Sequence, residues 1–162
     1  MRAPAQGHDE VLILAPREEI WAILEDSTRL PEWTTVLRTT GARESPGSVR
    51  ECQVNFEGKT GSVVERCVES DPCRRIAWVM DHDTLGFSRM LSDFGFSFTL
   101  TPTVDGETLV RTETYYRPRT LLANVMNLLL MRRKFRAARQ RFLGGLKALA
   151  ESAREARAGG AR

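Results

Sequence analysis

The chain has 162 residues, of which 41% are hydrophobic and 28% are charged, and its formal charge at neutral pH is +3. This length suits a single domain covering residues 1–162, and we expect its structured core to run from about 8 to 155. The composition is ordinary for a soluble globular protein. A net charge this small gives no reason to expect a nucleic-acid partner.

The residues that most often bind metals are scarce. Cys52, Cys67 and Cys73 have no paired spacing, and His8 and His82 are the only histidines, so we expect no metal site and reduced thiols, as in a cytoplasm. The first ten residues lack the apolar core of a secretory signal, which also favours a cytoplasmic location. Because no nucleophile elbow or glycine-rich phosphate loop occurs, we expect neither a cofactor nor covalent catalysis.

The N-terminal part predicts a strand over 8–15 followed by a helix over 16–26. Pro16 suits the first turn of that helix, and Glu18 and Glu19 lie near the positive end of its dipole. A second short helical turn ends at Trp33. The first helix presents Ile20 to the interior at helical spacing.

The middle of the chain alternates apolar and polar residues with the two-residue period of strands. This period predicts strands at 36–40, 48–56, 60–69, 75–82, 92–100 and 108–116. Turn signals such as Pro46-Gly47 and Asp71-Pro72 separate them. The clearest strand, 92–100, alternates phenylalanines with small or polar residues.

The C-terminal part predicts a long amphipathic helix over 119–157. An apolar stripe would face the sheet, formed by Leu128, Met131, Phe135, Ala138, Phe142, Leu149 and Ala153. Its arginine-rich faces suit either plain solvation or contact with an acidic partner or anionic membrane. The apolar run 121–131 is too short to span a bilayer and predicts a buried helix. One long helix with many strands indicates an α+β fold, an antiparallel sheet curled around that helix.

Three sequence segments resemble a known superfamily. The run Ile13-x-Ala15-Pro16-x-Glu18-x-Ile20-Trp21-x-Ile23-Leu24-x-Asp26, then Leu30-Pro31-Glu32-Trp33, resembles the opening of the START-related helix-grip (SRPBCC) proteins. Val68-x-x-Asp71-Pro72 before Arg75-Ile76-Ala77-Trp78, and Gly106-x-Thr108 before Tyr116-Arg117-Pro118, agree with it. This superfamily includes birch-pollen-allergen-like proteins, lipid carriers and polyketide cyclase/dehydrases.

The resemblance implies a seven-stranded antiparallel sheet gripping the long C-terminal helix, with two short helices closing one end. The space between sheet and helix would be a ligand cavity. Strand parity and helix position supply the candidate ligand-binding residues, namely Trp33, Cys52, Val54, Phe56, Val64, Trp78, Met80, Phe94, Phe96, Phe98, Thr112, Thr114, Asn124, Asn127 and Met131.

The candidate catalytic residues are Arg66, His82 and Tyr116, which parity also sends inward. The aromatase/cyclases of the superfamily carry a Trp-x-Ser-x-Arg pattern that here reads Ser62, Val64 and Arg66, so only the arginine is kept. A cavity-facing guanidinium could polarise a carbonyl, and the alternative is an ion pair with a strand carboxylate. His82 could be a general acid or base, or a surface histidine. Tyr116 could donate to a ligand oxygen, or serve only as cavity wall.

We therefore hypothesise a protein that binds a hydrophobic, oxygen-bearing small molecule. It would be a cofactor-independent polyketide cyclase/dehydratase-like enzyme that folds its substrate and polarises its carbonyls. A non-catalytic carrier or sensor of a lipid or metabolite is the alternative, with weak membrane contact through 121–131 and the basic residues that follow. An interaction module using the arginine-rich helix is a third. Monomer and homodimer both stay open.

Overall fold

In the computed structural model, which describes residues 3–159, the strands form one antiparallel sheet. The strand order across the sheet is β1-β7-β6-β5-β4-β3-β2. The predicted α+β helix-grip fold, a seven-stranded antiparallel sheet around a long C-terminal helix, is confirmed. The strands are β1 (Ala5–Ile13), β2 (Val36–Thr39), β3 (Val49–Phe56), β4 (Lys59–Asp71), β5 (Arg75–Asp83), β6 (Leu91–Pro102) and β7 (Thr108–Pro118).

Helices cover the concave side and one end of the sheet. The short helices are α1 (Arg17–Leu24), a 3₁₀ turn (Ser27–Arg29), α2 (Leu30–Trp33) and α3 (Phe87–Met90), and the C-terminal helical rod comprises α4 (Leu121–Met126), a π-helical turn (Asn127–Met131) and α5 (Arg132–Gly159). Helix α3 lies between β5 and β6, in a segment to which the sequence assigned neither a helix nor a strand. Its first two backbone N–H groups, on Phe87 and Ser88, donate to the carboxylate of Asp83 at 2.9 and 2.7 Å.

The core consists of one main cluster and one smaller cluster. The main cluster joins α1, α2 and α5 to the concave face of the sheet and includes the fully buried Trp78 and Phe98. The smaller cluster contains Tyr116, Met131 and Phe135 at the other end of the rod. Burying each large side chain contributes about 1.5–3 kcal/mol, so the rod is held over residues 131–150.

A β-bulge controls which side chains of β5 face inward. The pairing of β4 with β5 shifts between Val64 and Glu65, because Met80 and His82 pair with consecutive residues and Asp81 is left over. A bulge of this kind reverses the alternation of side chains beyond it. Beyond the bulge, Asp83 therefore points inward and His82 is exposed, whereas Trp78 lies before the bulge and keeps its predicted inward position.

The first part of the C-terminal rod differs from its prediction. The sequence predicted a buried helix over 121–131, but Leu121, Leu122 and Leu129 are 86%, 73% and 70% exposed. Leu128 of the predicted apolar stripe is also exposed. Between residues 121 and 131 the buried side chains are Ala123, Asn127 and Met131, four residues apart. The exposure of these leucines could not be predicted from a hydrophobic run, because it depends on how far the sheet extends along the rod.

No helix within residues 3–159 is long and apolar enough to cross a membrane.

Candidate functional site

A cavity lies between the concave face of the sheet and the C-terminal rod. Its volume is about 140 Å³, close to that of an engineered protein cavity that binds benzene. Its wall is predominantly aromatic and aliphatic, with Phe94, Phe96 and Phe98 from β6 and Phe135 and Phe142 from α5. The volume is sufficient for one ring-sized group. Because the wall is mostly apolar, that group would itself be mainly apolar.

One side of the cavity carries a buried ionic triad. Arg50 of β3 pairs with Glu44 at 2.7 Å and with Glu65 of β4 at 2.8 Å. Its guanidinium carbon lies 4.5 Å from the ring centroid of Trp78, a cation–π contact. Burial lowers the pKa of Arg50, but the charges of Glu65 and Glu44 outweigh burial and raise it. Arg50 therefore stays charged, and both Arg50 and Glu65 line the cavity.

A second arginine reaches the cavity from the rod. Arg139 of α5 donates to Asp9 of β1 at 2.8 Å and to the hydroxyl of Thr114 at 3.3 Å. Arg139 and Thr114 both line the cavity, as does Thr112. The carboxylate of Asp9 therefore balances the charge of Arg139, which is 8% exposed.

Two indole N–H groups in the cavity wall have no acceptor among the described residues. Nε1 of Trp33 and Nε1 of Trp78 are both buried and make no hydrogen bond there. An unpaired buried donor costs roughly 1–3 kcal/mol. In contrast, Nε1 of Trp21 outside the cavity donates to Glu25 at 2.9 Å. Two residues that line the cavity, Trp33 and Trp78, therefore each carry a buried N–H donor without a partner in the described part of the chain.

A second, wider pocket adjoins the cavity and shares part of its wall. Its volume is about 340 Å³, and it shares Phe56, Phe87 and Phe135 with the cavity. The rings of Phe56 and Phe87 meet edge to face with centroids 5.1 Å apart. These rings therefore separate the cavity from a pocket lined by Leu85 and Met90 and by residues of the C-terminal rod.

Most predicted ligand-binding residues do line the cavity. The cavity wall includes Trp33, Cys52, Val54, Phe56, Trp78, Phe94, Phe96, Phe98, Thr112 and Thr114. Burial raises the pKa of the Cys52 thiol to about 11. Cys52 is therefore a protonated, weak nucleophile at neutral pH.

The inward orientation predicted for Arg66 is wrong. Arg66 lies on the outer face of the sheet, where it pairs with Asp81 at 2.7 Å, and its side chain is 45% exposed. The hydrogen bond from Arg66 lowers the pKa of Asp81. The alternative, an ion pair with a strand carboxylate, is what the structure contains. The inward positions of β4 are Val63, Glu65 and Cys67, which are buried, so strand alternation and the family pattern assigned the wrong face of β4 to the interior.

Three other predicted positions on β4 and β5 also fall outside the cavity. Val64 shares the outer face with Arg66, and His82 is exposed beyond the bulge at Asp81. Met80 packs against the main core without lining the cavity. No sequence pattern indicated the bulge at Asp81. The alternation predicted for β5 was therefore continued past Asp81 and assigned His82 to the inner face.

Tyr116 is buried but is not part of the cavity wall. Its hydroxyl donates to Oδ1 of Asn127 at 2.5 Å, and burial raises the pKa of Tyr116. Asn127 therefore anchors the π-helical turn to β7, while Asn124 is exposed. Met131 packs beside Tyr116 and lines the second pocket. A ligand in the cavity would not reach Tyr116 without movement of these groups.

Sequence reasoning missed the charged residues that line the cavity, namely Arg50, Glu65 and Arg139. Arg50 shared its predicted face with Cys52, Val54 and Phe56, so its position was available from strand parity. Glu65 and Arg139 carried no such signal, because β4 was assigned the opposite face and Arg139 lies outside the apolar stripe predicted to face the sheet. Within the described residues, no His, Cys, Asp and Glu side chains are grouped in threes that could hold a metal ion.

Comparison with known families agrees with this geometry. A family model described as polyketide cyclase/dehydrase and lipid transport matches residues 5–151. The chain belongs to this family. The superfamily resemblance inferred from the sequence is thereby confirmed. No curated protein is similar enough to this sequence to count as a relative.

Solved structures from several sources share the fold of this family member. A START superfamily protein from Mycobacterium smegmatis aligns with a TM-score of 0.73 at 13% identity, covering 92% of this chain and 99% of its own. An aromatase/cyclase from a Streptomyces species aligns with a TM-score of 0.64 at 18% identity, covering 90% and 92%. A point mutant of norcoclaurine synthase from Thalictrum aligns with a TM-score of 0.72 at 10% identity, covering 95% of this chain and 99% of its own.

The family and the apolar cavity together indicate a protein that binds a hydrophobic small molecule. At identities this low, the solved structures support the fold alone.

Proposed function

We propose that the cavity binds a ring-sized portion of a hydrophobic ligand that carries a carbonyl or phenolic oxygen. The observation that carries the proposal is that Trp33 and Trp78 line a largely apolar cavity and that their buried indole N–H groups have no hydrogen-bond partner among the described residues. A ligand oxygen would satisfy one or both donors, while the phenylalanines would contact the ring. A purely hydrocarbon ligand would leave both donors unpaired.

The finer proposal is a cofactor-independent cyclase/dehydratase acting on a polyketide-like substrate. The wall would fold a flexible carbonyl chain, and the indole donors with Arg50 would stabilise the negative charge that develops on oxygen. Glu65 supplies the carboxylate that lines the cavity and would accept a proton from the carbon between two carbonyls. This assignment transfers the role proposed for Arg66 to Arg50, on the opposite face of the sheet.

Comparing acetophenone with ethylbenzene tests the binding proposal, because the two differ chiefly in the carbonyl. Acetophenone should bind about tenfold more tightly or better, since one hydrogen bond to a buried donor contributes ~1.4 kcal/mol. Isothermal titration measures both affinities. Trp33→Phe and Trp78→Phe should each reduce the preference, whereas Trp21→Phe should not, because its indole N–H is already bonded to Glu25. Equal affinities in the unmodified protein would refute the proposal.

The alternative is a non-catalytic carrier, and the ion pairing of Glu65 with Arg50 favours it. A carboxylate held by a guanidinium is a poor base, because the neighbouring positive charge stabilises its ionised form. A linear β-triketone ester distinguishes the two functions. Catalysis predicts a cyclised, dehydrated product that Glu65→Gln no longer forms although acetophenone still binds, and carriage predicts unchanged ester.

A further inference from the structure

The segment 121–130 at the start of the C-terminal rod, here called the apolar tip, carries exposed leucines on most of its surface. Leu121, Leu122 and Leu129 are 86%, 73% and 70% exposed. Of this segment, Ala123 and Asn127 alone are buried among the described residues. Leaving so many aliphatic side chains in water is unfavourable, so this surface is suited to contact an apolar medium.

The residues on either side of the apolar tip are basic. Arg119 precedes it, Arg132 and Arg133 follow it, and no Asp or Glu occurs between Glu113 and Glu151. Arg119, Arg132 and Arg133 are exposed and form no ion pair with any residue in the described part of the chain. The next base, Lys134, is paired with Glu57.

We propose that the apolar tip docks on the surface of an anionic lipid bilayer. At ten residues of helix, about 15 Å long, the tip is long enough to enter one leaflet but too short to cross. Its leucines would insert below the headgroups, and Arg119, Arg132 and Arg133 would contact the anionic phosphates. This inference goes beyond the proposed cavity function and does not depend on it.

Charge favours a bilayer over a second copy of the chain. Two copies that met through their apolar tips would bring Arg132 and Arg133 close to the same residues of the other copy, which repel. The tip also lacks the aromatic side chains that are enriched at protein interfaces. An anionic membrane instead supplies opposite charge around an aliphatic contact.

The second pocket connects this surface with the cavity. Met126 and Leu130 of the apolar tip line that pocket together with Leu85 and Met90. The shared rings of Phe56 and Phe87 lie between that pocket and the cavity. A docked protein would therefore present the pocket to the bilayer, where hydrophobic ligands dissolve.

Sedimentation with phosphatidylcholine vesicles, with and without phosphatidylglycerol, tests the proposal. The unmodified protein should bind phosphatidylglycerol vesicles at low salt and lose most of this binding at high salt. Leu122→Ser/Leu129→Ser should weaken binding more than tenfold, and Arg133→Gln should weaken it about fivefold. The matched controls Leu37→Ser/Val104→Ser and Arg38→Gln change exposed residues elsewhere and should bind like the unmodified protein.

Several outcomes would overturn the proposal. The first is that the unmodified protein does not bind phosphatidylglycerol vesicles at low salt. The second is that Leu122→Ser/Leu129→Ser binds them as well as the unmodified protein does. The third is that the control variants lose as much binding as the variants of the apolar tip. A dimer that the leucine substitutions dissociate, without vesicle binding, would assign the surface to a second copy. Acetophenone affinity measured without vesicles separates the two proposals, because the leucine substitutions should leave it unchanged.

Discussion

Arg50 and Arg66 lie on neighbouring strands, yet their surroundings give them different roles. Arg50 is buried between Glu44 and Glu65, whereas Arg66 pairs with Asp81 in contact with solvent. A buried charge without a partner is costly, while a solvated pair contributes little because water screens it. The arginine that matched a family pattern is therefore the less important one in the structure.

Arg50→Met should reduce the free energy of unfolding by about 3–5 kcal/mol, because Glu44 and Glu65 would be left buried without a counter-charge. Arg66→Met should reduce it by less than about 1 kcal/mol. Urea denaturation followed by tryptophan fluorescence measures both. Adding Glu44→Gln and Glu65→Gln to Arg50→Met should recover part of the loss. An equal effect of the two arginine substitutions would contradict this account.

At the scale of elements, the contact between α2 and α5 sets the position of Trp33. A Cβ on Gly145 would lie 2.2 Å from the backbone oxygen of Trp33, whereas a Cβ on Gly144 would meet nothing within 4 Å. Only Gly145 allows a close approach, and its neighbour is α2 rather than the sheet.

Gly145→Ala should destabilise the protein by about 2 kcal/mol or more, because α2 and α5 must separate to admit the methyl group. The same shift would displace Trp33 and weaken acetophenone binding. Gly144→Ala is the matched control and should stabilise by up to about 1 kcal/mol, since alanine favours the helix. Thermal unfolding and calorimetric titration measure these effects, and similar results for both alanines would rule out the close contact.

The position of α3 depends on one carboxylate. Burial raises the pKa of Asp83, but hydrogen bonds from Ser88 and Phe87 outweigh burial and lower it. The ionised form is thus favoured in the folded state. Its contribution to stability is present above the unfolded pKa, near 4, and is lost as pH falls through the lower folded pKa.

Asp83→Asn should cost about 1–2 kcal/mol of stability at neutral pH, because the amide can accept only through its single oxygen. The difference in the free energy of unfolding between the unmodified protein and Asp83→Asn should become smaller as the pH falls below about 4. Urea unfolding across this pH range measures it. Asp105→Asn, which changes an exposed carboxylate in the β6–β7 turn, is the matched control. A difference that stays constant with pH would show that the charge is not responsible.

At the scale of the whole molecule, packing is uneven along the C-terminal rod. The part of α5 from Phe135 to Ala150 buries Leu143, Leu146 and Ala150 against the sheet and the short helices. The apolar tip is attached mainly through Ala123 and Asn127. Local opening should therefore cost less free energy in the tip than in α5.

Amide hydrogen exchange should be much faster over 121–130 than over 135–150, because few buried side chains hold the tip. Phosphatidylglycerol vesicles should slow exchange selectively in the tip. Mass spectrometry of peptic fragments measures both rates. The central part of β6, which is paired on both sides, is an internal reference that vesicles should leave unchanged. Equal protection along the rod would contradict the uneven packing.

The sequence by itself determined the order of the strands, the helices before β2, the long C-terminal helix and most of the apolar cavity wall. Phe94, Phe96 and Phe98 could be placed because strand alternation is local, and Trp33 because its motif is specific. Tertiary structure decided the polar part of the site and the exposure of the apolar tip. The bulge at Asp81 and the face of β4 depend on pairing with neighbouring strands, which no local pattern encodes. The sheet does not extend over Leu121 and Leu122, which are therefore exposed. The hydrophobic run alone could not show this, because its sequence is the same whether or not another element packs against it.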